Sequence, residues 1–541
     1  MTTLDSHIDC GSETFQRHRE EMLACLAQVR AVQQKVRDTE AEQAAKFRKR
    51  KQLLPRERIQ RMLDRGSPFL EISSLAGYRM HDDKDGALAG GNTIAGIGYV
   101  EGVRCMLSAS NSAIKGGTVT PWGMRKSLRV QEIALQQKLP LISMVESGGA
   151  NLLYQAEMFI EGGRIFANQA RLSAAGIPQV TVVHGSSTAG GAYMPGLSDY
   201  VVMVRNQAKV FLAGPPLLLA ATGEVATDEV LGGAQMHGQV AGTCEFVAEN
   251  DADGIRLARE IVASLDWNQA RPAFAPREVR APLYDADELC GVVPVDYRKP
   301  YDCREVIARV VDGSEFLDFK SEYDGHTVCG RAAIHGMPVG IIANNGPITV
   351  RGATKAGQFM QLCDQAGIPL VFLMNTTGYM VGSESEQGGI VKHGSKMIQA
   401  VANVRVPRIT VVLGASFGAG NYGMSGRGFD PDFIFAWPNA RTAVMGGEQA
   451  AKVMGIVSRE KYVRAGTPPG AEEEARLAAL EAGIVAQFER DSHPLAGTAR
   501  LYDDGLIDPR DTRRVLAYTL SICREARART VNTSSFGVAR F

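Results

Sequence analysis

The sequence predicts an α/β fold built from two homologous halves, and three observations carry that prediction. Short apolar runs alternate with helical segments, motifs of the first half return in order in the second, and 541 residues suffice for two cores. A single core rarely grows past about 250–300 residues, so a chain of this length is expected to divide. The expected division is a helical segment over 1–60, a first domain over 61–275 and a second over 276–541.

The elements follow in order. Between Glu13 and Lys51, Met22, Leu26, Val29, Val32 and Val36 recur in steps of three and four, the spacing of one helix face. The run KFRKRK at 46–51 reads as a solvated helix end, because no basic stripe continues it. From Thr93 the texture changes. Strands are expected at Thr93–Val100, Leu141–Val145, Val180–Val183 and Val201–Val204, with helices such as Met124–Gln137 and Glu161–Ala174 among them. Proline-rich Arg271–Leu283 reads as a junction. The alternation resumes at Pro338–Ala343, Leu370–Met374, Ile409–Leu413 and Phe433–Ala436.

The second series repeats the first. Ile177–Gly185 parallels Val406–Gly414 at an offset of 229 (406 less 177), and the same offset carries Ser187, Gly191 and Tyr193 onto Ser416, Gly420 and Tyr422. Ser147-Gly148-Gly149 is matched with Thr377-Gly378-Tyr379 at 230. Asp199 is matched with Asp432, and Ala213-Gly214 with Gly446-Gly447, at 233. An ordered series of this kind implies two homologous domains.

Composition narrows the function classes. Lys plus Arg and Asp plus Glu both total 59, which gives no reason to expect a nucleic-acid or membrane partner. Nine scattered cysteines without a close pair fit free thiols better than a disulfide framework or zinc site. The opening residues carry neither a signal-peptide pattern nor an Arg-rich presequence, so the cytoplasm is the expected compartment. The 58 glycines, about 11% of the chain against a usual ~7%, fall in clusters.

Two of those clusters are candidates for chemistry: GSSTAGGAYMPG (Gly185–Gly196) and GASFGAGNYGMSG (Gly414–Gly426). Each follows an expected strand and precedes small residues able to open a helix. The first N–H groups of a helix lack internal acceptors, and small side chains leave them uncovered, which suits a developing oxyanion. Candidate donors are Gly190 and Gly191 in one half and Gly418, Ala419 and Gly420 in the other. The competing explanation is close helix–sheet packing, which also selects small residues. Neither segment is a phosphate loop or a G-x-S-x-G elbow, and His184, His237 and His393 have no second ligand at metal spacing, so no metal is expected. Lys115, Arg125, Lys126 and Arg129 form a basic group suited to the phosphates of a coenzyme, or else a solvated charged face.

Taken together, SGGANL, GSSTAGGAY, VFLAGPP, LGGAQMH, NTTGYMVG, GASFGAGNYGM, VMGGEQAA and YDDGLIDP resemble the carboxyltransferase β subunits of methylcrotonyl-CoA and geranyl-CoA carboxylases, over roughly Gln52 to Arg514. The resemblance implies two tandem crotonase-like (ClpP/crotonase) domains, acyl-CoA on the first and biotin on the second, in a β hexamer within an α6β6 complex. The amides of Gly190 and Gly191 would hold the thioester oxygen, and those of Phe417, Gly418 and Ala419 the ureido oxygen of biotin. Lys115, Gly116, Gly117, Arg125, Lys126, Gly148, Gly149, Gly162, Ala189, Ala192 and Tyr193 would line the acyl-CoA site. Thr377, Gly378, Tyr379, Ser416, Gly420, Asn421 and Tyr422 would line the biotin site. The chain has no biotin-attachment M-K-M motif and no ATP site. A biotinylated biotin-carboxylase α subunit would therefore carry the biotin and use the ATP and bicarbonate.

The methylcrotonyl-type pattern places a Phe where AEMFIEGGRIF (Ala156–Phe166) has Gly162, and Ala167 does not refill the space. Losing a ring beside the acyl group opens apolar volume, so a C10 geranyl chain is expected over C5, with propionyl-CoA a more distant alternative. Glu146 stands where the family pattern leads one to expect Asp. A biotin-free hydratase or isomerase would need a carboxylate at the first hole, for which Glu224 is the nearest in motif context. A silent scaffold would need neither hole.

Overall fold

The computed structural model describes residues 2–270, 278–464, 466 and 469–539; residues 271–277 of the expected junction lie outside them. The strands are, in chain order, Thr2–Thr3 (β1), Leu70–Ile72 (β2), Thr93–Val100 (β3), Val103–Ser110 (β4), Leu141–Ser147 (β5), Gln179–Thr188 (β6), Tyr200–Val204 (β7), Lys209–Phe211 (β8), Phe246–Ala248 (β9), Glu315–Asp318 (β10), Thr327–Ile334 (β11), Met337–Asn344 (β12), Leu370–Thr376 (β13), Arg408–Phe417 (β14), Phe433–Ala436 (β15) and Arg441–Ala443 (β16). They form two sheets of the same plan. One runs β2-β3-β4-β5-β6-β7-β9 with β8 on β6; the other runs β1-β10-β11-β12-β13-β14-β15 with β16 on β14.

Both sheets are mixed. An antiparallel hairpin, β3–β4 or β11–β12, opens each parallel run. The hairpin loops, Glu101-Gly102 and His335-Gly336, have both residues at positive φ, the two-residue turn whose twist suits antiparallel strands. The hairpin strands β4 (VRCMLSAS) and β11 (TVCGRAAI) were not among the expected runs, because Ser, Cys, Gly and Arg break their apolar pattern. The helices Pro121–Gln136 and Val350–Gln365 follow the hairpins. Thr120 and Thr349 cap them, each hydroxyl accepting the N–H of the third residue on, Gly123 at 3.1 Å and Gly352 at 2.9 Å.

The repeat is thus structural as well as sequential. The offset is 234 in the hairpins (327 less 93) and 229 from the helix caps through β6 and β14. Two expected correspondences shift by a residue. β8 and β16 take equivalent places on β6 and β14 at an offset of 232 (441 less 209), so Gly214 corresponds to Gly446 and the 233 match with Gly447 is corrected. The other is at Gly149. Gly149 N–H bonds the Ser147 hydroxyl and Gly378 N–H the Thr376 hydroxyl, while the Gly149 and Gly378 carbonyls accept from Val119 and Ile348. Gly149 is therefore the counterpart of Gly378 at 229, and the 230 match of Ser147 with Thr377 is corrected to Ser147 with Thr376. The match of Asp199 with Asp432 stands: each carboxylate accepts the first N–H of the long strand, from Gln179 or Arg408, at 2.9 Å.

Contacts divide the chain into two compact units. One gathers Met1–Val29, Ala275–Thr498 and Tyr502–Ser521; the other gathers Arg30–Phe274, Ala499–Leu501 and Ile522–Phe541. The core around β12–β15 is built from residues such as Ile342, Phe359, Phe372, Met374, Met397 and Ile434. The expected N-terminal helix is Glu13–Glu42, with Met22, Leu26, Val29 and Val36 buried. In the basic run only Phe47 is buried; its five cations are exposed. All nine cysteines are free thiols. No helix among the described residues is long and apolar enough to cross a membrane.

Candidate functional site

Each long strand, β6 and β14, is bent by the same device before it reaches its glycine-rich turn. Val145 pairs with Val183 but Ser147 pairs with Ser187, so three residues of β6 stand opposite Glu146 alone. Met374 pairs with Val412 and Thr376 with Ser416, which repeats the bulge opposite Asn375. Beyond the bulge the strand changes partner. Ser186–Thr188 pair with β8 and Ala415–Phe417 with β16, so the bulge sets the direction in which the turn leaves the sheet. Gly185 and Gly414 occupy the bulge centres because a Cβ there would lie 2.6 Å from Glu146 Cγ or from Asn375 Oδ1.

The turns that follow are equivalent residue by residue. Ala189 (φ +52°) corresponds to Gly418 (φ +53°), Gly190 to Ala419 and Gly191 to Gly420. A left-handed alanine costs on the order of 1–3 kcal/mol, and such strain concentrates at functional turns. Neither Thr188 nor Phe417 caps its turn with a side chain, so the leading N–H groups have no cap acceptor. Gly190 and Ala419 are exposed.

The structure separates the packing explanation from the ligand explanation position by position. A Cβ on Gly190 would meet only the Phe166 ring, at 4.0 Å, and on Gly191 only the Ser187 hydroxyl, at 3.6 Å; packing does not require glycine at either. At Gly420 a Cβ would come within 2.8 Å of the Gly378 Cα, so that glycine serves packing. The amides of Gly148 and Gly149 are already committed to the Gly116 carbonyl and the Ser147 hydroxyl. They frame the Lys115–Gly117 turn.

Around the first turn, Ala192 is buried and exposed Tyr193 packs against Phe166 with ring centroids 5.5 Å apart. Lys115 is exposed beside Gly116 and pairs with Asp82 at 2.9 Å; the Tyr154 hydroxyl and Lys115 hold the Asp82 carboxyl below its usual pKa. The Arg125 guanidinium lies 4.5 Å over the Trp122 ring. Lys126 does not join them. It is buried, its ammonium donates to the carbonyls of Gly90 and Thr93 at 3.2 and 2.5 Å, and burial pulls its pKa down to about 8. Lys355, 229 residues on, is buried in the same way and donates to the Asp324 carbonyl, so this lysine is a repeated structural element. Arg129 is buried and pairs with Glu132 at 2.7 Å. Beside Gly162, only the tip of Met124 comes within 4 Å of a would-be Cβ among the described residues.

Around the second turn, Thr377 and Tyr422 are exposed, and Tyr422 stacks on Phe429 at 5.9 Å. Asn421 Nδ2 donates to the Ser416 hydroxyl at 2.7 Å. Tyr379 lies under the turn, near enough that a Cβ on Gly423 would sit 2.5 Å from its hydroxyl; burial raises its pKa.

Among the described residues, the acids and the histidine behind the first turn are paired rather than free. Glu146 accepts Arg58 Nη1 at 2.7 Å and the Ser112 hydroxyl at 2.9 Å. Arg58 also pairs with Asp251 at 3.0 Å, and Asp251 accepts His184 Nδ1 at 3.0 Å and the Leu53 N–H at 2.8 Å. Burial, then Arg58, holds the His184 pKa below its usual 6.5. Burial alone would raise Asp251; His184, Arg58 and the Leu53 amide overcome it and hold that carboxyl below its usual range. Both shifts carry the same sign. The unfolded chain takes up these protons first, so the stability they contribute is complete above pH 6.5 and is lost as pH falls toward the folded values. The thermal midpoint is expected to fall between pH 8 and 5.5 more steeply in the parent than in His184→Gln; equal slopes would contradict this assignment. Among the described residues, no group of His, Cys, Asp or Glu has the makings of a metal site.

Gln52, Arg58, Asp251, Asn375 and Asn439, whose side chains bond groups at or beside the bulges, do not stand out in the sequence. Asn375 was legible: the 229 offset that carries Gly185 onto Gly414 also carries Glu146 onto Asn375.

Comparison with known proteins identifies the family of the chain. Residues 46–538 match the carboxyl transferase domain family. A probable biotin-dependent acyl-coenzyme A carboxylase beta2 subunit of Mycobacterium tuberculosis is 52% identical over 489 residues, 90% of each chain. A methylcrotonoyl-CoA carboxylase beta chain of Dictyostelium discoideum is 46% identical over 99% of this chain and 91% of its own. The crystal structure of the geranyl-CoA carboxylase beta subunit of P. aeruginosa matches with a TM-score of 0.93 and 61% identity over the whole of both chains. The chain belongs to the carboxyl transferase family, as a carboxyltransferase (β) subunit of the biotin-dependent acyl-CoA carboxylases.

Proposed function

We propose that the chain transfers a carboxyl group from carboxybiotin, carried by a biotinylated α subunit, to the γ-carbon of geranyl-CoA. The two halves are taken as crotonase-like domains of a hexameric β core, acyl-CoA on the half containing Gly190 and biotin on the half containing Ala419. The observation that carries the reading is the repeated pair of turns without side-chain caps, one of which has glycines that packing does not demand.

The amides of Gly190 and Gly191 accept the charge that grows on the thioester oxygen as the γ-proton leaves. Because that charge delocalises through the α,β double bond, one hole stabilises deprotonation two carbons further out. Gly418 and Ala419 offer the matching donors for the ureido oxygen, and exposed Thr377 and Tyr422 flank them. The bound cofactor supplies CO2 and, once free of it, a nitrogen able to take the proton. This agrees with the pairing of Glu146 by Arg58 and Ser112 rather than its standing free at the hole. Lys115, exposed, and Arg125 are read as the cations that would meet the coenzyme phosphates.

Chain-length preference rests on Gly162. A Cβ there would meet the tip of Met124 at 3.6 Å, an ordinary contact, so a Phe ring is tolerated at its base and on this reading takes up the volume a longer chain would use. With the α subunit present, the parent is expected to prefer geranyl-CoA over methylcrotonyl-CoA by about 10–100-fold in kcat/KM, and Gly162→Phe to reverse the order. A parent that prefers the C5 substrate would overturn the geranyl assignment in favour of methylcrotonyl-CoA.

A further inference from the structure

We propose that Gln52 and Asn439 are positioning residues for the two oxyanion turns, each acting through the β-bulge behind its turn. The inference rests on the reading of those turns given above, and it names side chains bonded to the strands behind them.

A bulge that sets three residues opposite one leaves strand groups without ladder partners, and a buried carbonyl without a donor is costly. The carbonyls concerned are those of His184 and Leu413, equivalent at 229 (413 less 184) and both buried. Gln52 Nε2 donates to the His184 carbonyl at 3.1 Å, and Asn439 Nδ2 donates to the Leu413 carbonyl at 2.9 Å. Gln52 precedes the first half's sheet, whereas Asn439 follows β15 of the second. The repeat therefore does not relate these two side chains, because 439 less 52 is 387 rather than 229. Two unrelated positions converge on one task. In both, the amide oxygen is buried without a protein partner, so each side chain is held by its N–H end.

The side chain that crosses the bulge completes each assembly. Asn375 Oδ1 accepts the Ala415 N–H at 2.7 Å, and Glu146 receives Arg58, Ser112 and, at 3.4 Å, the same Gln52 amide. The bulge is where each strand changes partner, so losing the amide frees the last strand residues to straighten and swings the turn. A shift of about 1 Å in a reacting group can cost about 10²-fold in rate.

The test uses the β chain assembled with its α subunit. Gln52→Met and Asn439→Leu keep approximate shape and remove the donor. Amide hydrogen exchange is expected to quicken at least tenfold over residues 186–192 in the first variant and 415–421 in the second, each change confined to its own turn. Acyl-CoA carboxylation should fall about 10²-fold in both. Acyl-CoA-independent, bicarbonate-dependent ATP turnover above that of the α subunit alone should fall only in Asn439→Leu; acyl-CoA affinity there should stay within twofold. Gln52→Lys, which keeps an N–H donor on a long stem, should recover most of the first loss. Should either variant fail to assemble, Gln52→Asn and Asn439→Ser, whose donors are too short, take their place. Unchanged exchange at the turns, or turnover within threefold of the parent, overturns the proposal. A parent complex that carboxylates no acyl-CoA would overturn the proposed function instead, and the exchange measurement still judges the bulges.

Discussion

Ala419→Pro is expected to fold like the parent and to lower carboxyl transfer about 10²–10³-fold, the effect of deleting one oxyanion donor. Ala419 is the second residue of the helix Gly418–Gly423, where an N–H has no intrahelical acceptor and a proline φ fits. The residue before it is Gly418, which has no Cβ to clash with the ring, and the side chain is exposed. The substitution therefore removes a donor without removing a fold contact. Steady-state kcat, acyl-CoA affinity and the thermal midpoint together check it. A large loss of kcat with affinity and midpoint unchanged is expected; an unchanged kcat would leave the second turn as packing alone. Gly420→Ala is the counter-case, since its Cβ would press on Gly378 and Thr376 and stability should fall first.

Arg58→Met is expected to destabilise the first half by about 3–5 kcal/mol, the cost of leaving buried charge unpaired. Arg58 is buried and serves two carboxylates at once, Glu146 at 2.7 Å and Asp251 at 3.0 Å. Without it the His184–Asp251 pair and Glu146 share one site with no permanent cation. Denaturant midpoints measure the loss. A midpoint within experimental error of the parent's would show that water reaches the network and that the bulge does not depend on it.

Much of the fold was legible because periodicity and repetition are local properties of a chain. The parallel strands and the exposed turns follow from runs such as Val180–Val183 and from the 229 offset. The hairpin strands escaped because residues such as Arg104 and Gly330 interrupt their apolar pattern. In the site, the turns were visible from their small residues, but composition does not distinguish a glycine facing ligand from one facing backbone. Gly190 and Gly420 look alike in sequence and differ in what a methyl would meet. Lys126 looked like its neighbour Arg125; only the path of the helix turns one inward to the Gly90 and Thr93 carbonyls and leaves the other over Trp122. Gln52 and Asn439 escaped for a different reason. Their partnership is with backbone atoms of a bulge, which no side-chain spacing records.

The most direct test of the paired-turn account is a crystal structure of the assembled enzyme with acyl-CoA bound. The thioester oxygen is expected about 2.7–3.1 Å from the amide nitrogens of Gly190 and Gly191, with no carboxylate side chain in contact with the γ-carbon. A thioester oxygen held elsewhere, with those two amides bonded to protein carbonyls, would contradict it.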